Sequence, residues 1–182
     1  LTGASLVRER EHGTIEHLLV MPVTSLEIML SKVWSMGLVV ALAALFSLLV
    51  VIKGALQVPT QGSLALFMLV TVLHLFATTS LGIFMATLAR SMPQFGILAV
   101  LVLLPLKLLS GGDSPRENMP EVVQIVMLAA PTTHFVTAGQ AILFRGAGLD
   151  VVWPQLLAIL VIGGVLFAAS LARFRKTISQ LA

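Results

Sequence analysis

Four long apolar runs set the frame of this chain, at about 33–52, 64–89, 95–109 and 152–172, each bounded by a short polar or glycine- and proline-bearing break. A helix needs about 20 residues to cross roughly 30 Å of hydrocarbon, and the first, second and fourth runs meet that length. In lipid every backbone group must find its partner inside its own segment, so these runs are expected to be helices. The third has 15 residues and contains Pro105. It reaches span length only if 92–110 is taken as a whole, with Lys107 snorkelling toward the headgroups. The pattern therefore predicts an all-α polytopic membrane bundle with four complete spans, 33–52, 64–89, 92–110 and 152–172.

Between the third and fourth runs lie 41 residues, 110–150, too many for plain loop in a compact protein. Two short apolar pieces, 122–130 and 135–144, are split there by "PTTH". Each is too short to cross, so 111–150 reads as a helix hairpin that dips into the outer leaflet or lies along it. Joining the pieces into one broken span would make the number of crossings odd and carry the basic "RFRK" to the other side. Counting flanking cations, Arg8, Arg10, Lys32, Arg90, Arg173, Arg175 and Lys176 fall on the side of both chain ends, and Lys53, Lys107, Arg116 and Arg145 on the other. Seven against four places both ends in the cytoplasm by the positive-inside rule.

Composition narrows the class further. With 58% hydrophobic and 10% charged residues and a mean hydropathy of +1.04, the chain is far from the soluble norm of about a quarter charged. It has no cysteine, which removes disulfides, iron–sulfur clusters and thiol chemistry. The net charge of +3 is dispersed, whereas nucleic-acid binding wants a clustered basic face, so no nucleic-acid partner is expected. The opening "LTGASLV" lacks a signal-peptide layout and reads as the last turns of an earlier helix, as in a fragment of a longer chain.

Half of the eight acids sit in one stretch, "REREHGTIEHLLVMPVTSLEIMLSK" at 8–32, just before the first span. Gly13 and Thr14 read as a helix start, with Thr14 as N-cap and Glu16 in the first turn. That helix is short, because Pro22 cannot continue it and restricts Met21. Thr24-Ser25-Leu26-Glu27 then matches a capping box that opens the next helix. Two readings stand: a solvated connector on the membrane surface, or a docking helix that passes force from a cytoplasmic partner to the spans.

Two stretches resemble a known family. "EREHGTIEHLLVMPVTSLEIMLSK" is similar to the cytoplasmic signature of ABC-2 type transport permeases, and "LLSGGDSPRENMPEVVQIVMLAAPTTHFVTAGQAILFRGAG" to their extracytoplasmic helix hairpin. The resemblance implies six spans per permease with a large insert between the first two, of which this chain would hold the tail of the second and the four that follow. It further implies a cytoplasmic coupling helix seated on an ABC ATPase subunit, a second permease copy or paralogue completing a dimer, and in some systems a periplasmic adaptor. On this pattern the ATPase-coupling residues are Gly13, Thr14, Glu16, His17, Leu18, Leu19 and Pro22, with Arg90 as a smaller second contact. The outer gate or hairpin would be carried by Pro115, Met119, Pro120, Pro131, His134 and Gly146. Gly112-Asp113-Ser114 departs from the aromatic or apolar residues usual before that proline. The implied location is the bacterial inner membrane.

Other chemistry finds little support. No G-x-x-x-x-G-K-[ST] occurs, so ATP hydrolysis would belong to a partner and the chain is not expected to be an enzyme or to hold a cofactor. His12, His17, His74 and His134 do not fall at metal-ligand spacing. Ser80 and His74 are six apart on one helix, a poor angle for a serine-protease pair. His74, in mid-span, either faces a cavity or is a neutral imidazole bonded to Thr71 or Thr78. The small pairs Gly37/Ala41, Gly82/Ala86 and Ala168/Ala172 permit close helix approach. Arg116, Glu117 and Glu121 either orient substrate or an adaptor, or are solvated. The leading reading is the permease half of an ATP-driven ABC exporter. A non-transporting membrane anchor or regulatory subunit is the alternative, and a gradient-driven carrier is disfavoured by the near absence of paired charges in the spans.

Overall fold

The computed structural model describes residues 2–12, 24–55, 57, 61–112 and 115–179. Seven α-helices follow one another in these segments: α1 (Thr2–Glu11), α2 (Ser25–Phe46), α3 (Leu64–Leu88), α4 (Met92–Leu108), α5 (Glu121–Val126), α6 (Pro131–Arg145) and α7 (Leu149–Ser179). A π-helical stretch, Ser47–Ala55, continues α2, and single 3₁₀ turns lie at Arg116–Asn118 and Met127–Ala129. No strand occurs among the described residues.

Local chemistry explains the helix ends. Thr24 and Glu27 form the capping box: the Thr24 amide donates to Glu27 Oε2 at 2.7 Å, and Thr24 Oγ1 accepts from the Glu27 amide at 3.3 Å. Ser63 caps α3 through the Leu66 amide at 3.3 Å, and Ser91 caps α4 through the Gln94 amide at 3.4 Å. Pro131 occupies the first turn of α6, where its missing N–H costs nothing. Gly146 closes α6 in the left-handed region at φ +66, a conformation that a Cβ would disfavour.

Helix α3 is central and touches α1, α2, α4, α6 and α7. Its contact with α7 depends on small residues: a Cβ on Gly163 would lie 3.0 Å from Ala77 Cβ and from the Phe76 ring. Two turns further along α7, the buried Ser170 hydroxyl lies 3.1 Å from the Ser80 carbonyl across the seam and 2.7 Å from its own Leu166 carbonyl. Such small residues and hydroxyls hold helices where lipid tails remove the usual hydrophobic drive. At one end of the bundle Leu6, Val7, Met29, Val33, Ile83 and Phe174 form an apolar cluster. At the other, Val70, Ala138, Ile142, Val152 and Ile159 form a second.

The spans are extended and redrawn relative to their expected limits. The first belongs to a helix that starts at Ser25, and the fourth lies within Leu149–Ser179. Three helices are long and apolar enough to cross a membrane, Leu26–Ile52, Leu64–Leu88 and Leu149–Phe174. α4 has 17 residues and stops at Leu108, since Leu109 leaves helical geometry at ψ 4, four residues after Pro105. Residues Glu121–Ala129 and Pro131–Arg145 meet at a bend of 96° and reach span length only if taken together.

Close approach also brings α1 onto α3. A Cβ at Gly3 would collide with the Gly82 carbonyl and stand 2.7 Å from the Phe95 ring. Gly82 thus packs within the chain, whereas Gly37 on α2 has nothing within 4 Å of its Cβ position. Gly3→Ala is expected to destabilise the fold by about 1–3 kcal/mol, the usual range for overpacking, and Gly37→Ala to leave it unchanged. Thermal unfolding of the two variants in detergent, followed by helical circular dichroism, checks this.

Candidate coupling face and transport groove

The helices on either side of the segment between α1 and α2 are tied to one another. Lys32 Nζ of α2 meets Glu9 Oε1 of α1 at 2.6 Å, both side chains largely covered at 18% and 29% exposure. Two residues on, Glu11 Oε1 accepts the Met92 amide of α4 at 2.8 Å, satisfying one of the orphan N–H groups of that helix start. A carboxylate there also complements the positive end of the α4 dipole. In the turn that joins α3 to α4, the Arg90 amide donates to Gln94 Oε1 at 2.7 Å and the residue is exposed. Two carboxylates of α1 therefore bind α2 and α4 at the same end of the bundle.

Of the residues singled out for coupling, Gly13, Thr14, Glu16, His17, Leu18, Leu19 and Pro22 lie outside the described residues. Arg90 lies on a turn whose Met92 is tied to Glu11, so the structure brings it beside the end of α1. Sequence reasoning passed over the roles of Glu9, Glu11 and Lys32. Their signal is the excess of acids in 8–32, which both the connector and the docking-helix readings turn outward rather than toward neighbouring helices.

A groove of about 400 Å³ opens between α2 and α3, lined by Val33, Trp34, Gly37, Ala41, Val72 and Phe76 among others, all apolar. Trp34 is 70% exposed beside it. His74 lies on α3 but on the side of α6, where its ring stacks on Phe135 with centroids 4.3 Å apart and planes 16° from parallel. The expected bond to a neighbouring hydroxyl is not made: Thr71 donates to the Phe67 carbonyl and Thr78 to the His74 carbonyl. Threonine hydroxyls within a helix have their own i−4 carbonyl in constant reach, which outcompetes a ring that must turn toward them. His74 Nδ1 is buried with no partner among the described residues.

At the opposite end the residues assigned to the outer hairpin come together as one folded unit. The Pro115 carbonyl accepts the Asn118 amide, the Met119 amide donates to the Arg116 carbonyl, and the Pro120 carbonyl accepts the Val123 and Gln124 amides. His134 Nε2 lies 2.8 Å from the Leu128 carbonyl and so braces the bend that Pro131 begins. Gly146 packs on Gln61, whose amide donates to the Leu143 carbonyl at 3.1 Å, tying α6 to the start of α3. No group of histidines and acids that could hold a metal ion occurs among the described residues.

The sequence profile described as ABC-2 type transporter matches residues 1–144. The chain is 62% identical to the inner membrane transport permease YhhJ of Escherichia coli (strain K12) over 182 residues, all of this chain and 49% of that protein. It is 35% identical over 178 residues to the probable multidrug ABC transporter permease YbhR of the same organism, covering 98% of this chain and 48% of the relative. The probable multidrug ABC transporter permease YbhS, also from that organism, is 32% identical over 170 residues, 92% of this chain and 44% of the relative. The chain thus spans about half the length of the curated relatives it matches.

Lys32→Met leaves Glu9 partly buried without its cation, and is expected to cost about 1–3 kcal/mol. The double variant Glu9→Leu with Lys32→Met is expected to recover most of that loss, because it removes both charges together. A double-mutant cycle on the apparent melting temperature measures the coupling.

Proposed function

The chain belongs to the ABC-2 type transporter family, and on that premise we propose that it is the membrane-spanning permease part of an ATP-driven exporter, coupled to a separate or fused ABC ATPase. The observation that supports this reading is the double tether at one end of the bundle, Glu9 to Lys32 and Glu11 to the Met92 amide. A push on the 13–23 segment would reach α1 and α2 directly, and α4 through α1. We read that end as cytoplasmic, in line with the distribution of Lys and Arg.

Mechanistically, nucleotide binding in the ATPase would move the coupling segment, with Glu16 and His17 at its polar edge and Leu18 and Leu19 packing into the partner. Arg90 would make the smaller contact. Because α1 also packs on α3 at Gly3 and Gly82, α2 and α4 would tilt about it against a core of α1, α3 and α7, which buried serines and glycines hold as a unit. The apolar groove between α2 and α3 would widen or close with that tilt and offer an amphiphilic cargo a path from the inner leaflet. The partner's nucleotide states do the work, since a ligand shifts such an equilibrium only by its differential affinity for the two arrangements.

The residues 111–150 would then form a re-entrant outer gate. α6 packs its Phe135 at the level of His74 and its Leu143 beside Gln61, so it rises through about half the depth of α3 toward the outer end. YhhJ is an inner membrane transport permease, and the same location and a dimer of permeases complete the proposal.

Because these 182 residues hold no cysteine, one placed at Glu16 in a parent with any other cysteine replaced reports directly on the partner. In the full-length protein in native membranes, Glu16→Cys is expected to crosslink to an ATP-binding subunit and Asn118→Cys is expected not to. Labelling of position 16 from the cytoplasm without capture of an ATPase would favour a membrane anchor instead. Glu16→Lys with Leu19→Asp is expected to abolish export while membrane insertion and ATP hydrolysis persist.

A further inference from the structure

We propose that the polar cavity at the hairpin end of the bundle is a phosphate-binding site, formed by Arg116 and Arg145, that takes the phosphodiester headgroup of an amphiphile. The cavity measures about 690 Å³ and lies between the end of α4, the 115–124 turn and α6. A volume of that order suits a headgroup with part of its glycerol.

The two guanidinium groups reach it from different elements. Arg116 enters from the turn before α5 and Arg145 from the last turn of α6. Neither makes an ion pair with a described residue; Glu117, which also lines the cavity, is exposed and joins neither of them. Arg116 is held in place rather than free to swing. Its Nη2 donates to the Gln124 carbonyl at 3.2 Å, and Gln124 in turn donates to the Met119 carbonyl at 2.9 Å. Its Nε is buried with no partner among the described residues, a donor that an anion in the cavity would satisfy.

The backbone makes room for this arrangement. Gly111 adopts φ +92, and a Cβ there would stand 2.9 Å from Arg116 Cγ, so any other residue would drive the arginine stem from its course. Gln140 lines the same cavity and donates from Nε2 to the Gly111 carbonyl at 3.5 Å. Thr137 gives its hydroxyl proton to the Thr133 carbonyl at 2.9 Å, which leaves its oxygen as an acceptor for a headgroup hydroxyl.

The surroundings point to phosphate on a lipid-like molecule. α5 exposes Val122, Ile125 and Val126 at 72%, 61% and 64%, an apolar face with no partner among the described residues, while its Gln124 holds Arg116. A short helix greasy on one side and polar on the other sits at the boundary of hydrocarbon and water. The two arginines then lie at the depth of headgroup phosphates. Guanidinium forks match phosphate oxygens in geometry as well as charge.

The test uses the full-length protein, delipidated in detergent and titrated with phosphatidylglycerol, with bound lipid counted by native mass spectrometry. Arg145→Gln removes a cation with no bond to a described residue, and is expected to weaken retention about tenfold, the order of one charge-assisted hydrogen bond. Lys107→Gln, a cation of the same end outside the cavity, is expected to change nothing. Millimolar inorganic phosphate that displaces the lipid supports the site with soluble phosphate as a second source. Lipid that stays in place supports a site selective for the whole headgroup. Retention by Arg145→Gln within twofold of the parent, or equal retention of diacylglycerol, which has no phosphate, overturns the proposal.

Discussion

Everything in this bundle hangs on how closely other helices can approach α3. Lipid tails are as apolar as leucine, so side chains gain little by leaving them, and association must come from contact area, short hydrogen bonds and the absence of bulk at the seam. Gly163 against Ala77, the Ser170 hydroxyl near the Ser80 carbonyl, and Gly3 against Gly82 supply those conditions on two sides of one helix. The large residues that make the chain so hydrophobic mostly point outward: Trp34, Leu38, Ile97, Leu101 and Val165 are all more than half exposed. Ordinary soluble logic, with big residues inside, is inverted here.

Charge is used sparingly and at the ends. Glu9 and Glu11 are two positions apart on α1 and yet serve two different helices, one through a lysine and the other through a backbone amide. The consequence is mechanical. Three helices are linked at one end through those carboxylates, with α1 also packed on α3, while α3 and α7 meet closely through glycine and serine.

The far end follows a different logic, in which prolines and glycines shape a short polar fold on an apolar base. Pro131 starts α6, Gly146 ends it, and Gly111 lets Arg116 lie into a cavity. His134 braces the 96° bend through the Leu128 carbonyl. His74 deserves comparison with it. One histidine is bonded at the surface of the hairpin, and the other is stacked on Phe135 inside, where aromatic contact replaces the hydroxyl partner that its neighbours in sequence suggested.

Much of this was legible in the chain alone, because apolar run length, capping residues and proline positions act locally. An α-helical membrane bundle, the Thr24–Glu27 box, the break at Pro131 and the family resemblance all follow from residues near one another in sequence. Span limits were less readable, since a helix continues into polar flanks as long as caps allow, as α2 does back to Ser25. What tertiary structure alone decided is which distant groups meet: Glu9 with Lys32, Glu11 with the Met92 amide, His74 with Phe135, Arg116 and Arg145 around one cavity. Those meetings depend on the rotation and depth of each helix about its neighbours, which close packing at glycines and serines sets and which hydrophobic periodicity in a uniformly apolar run leaves open.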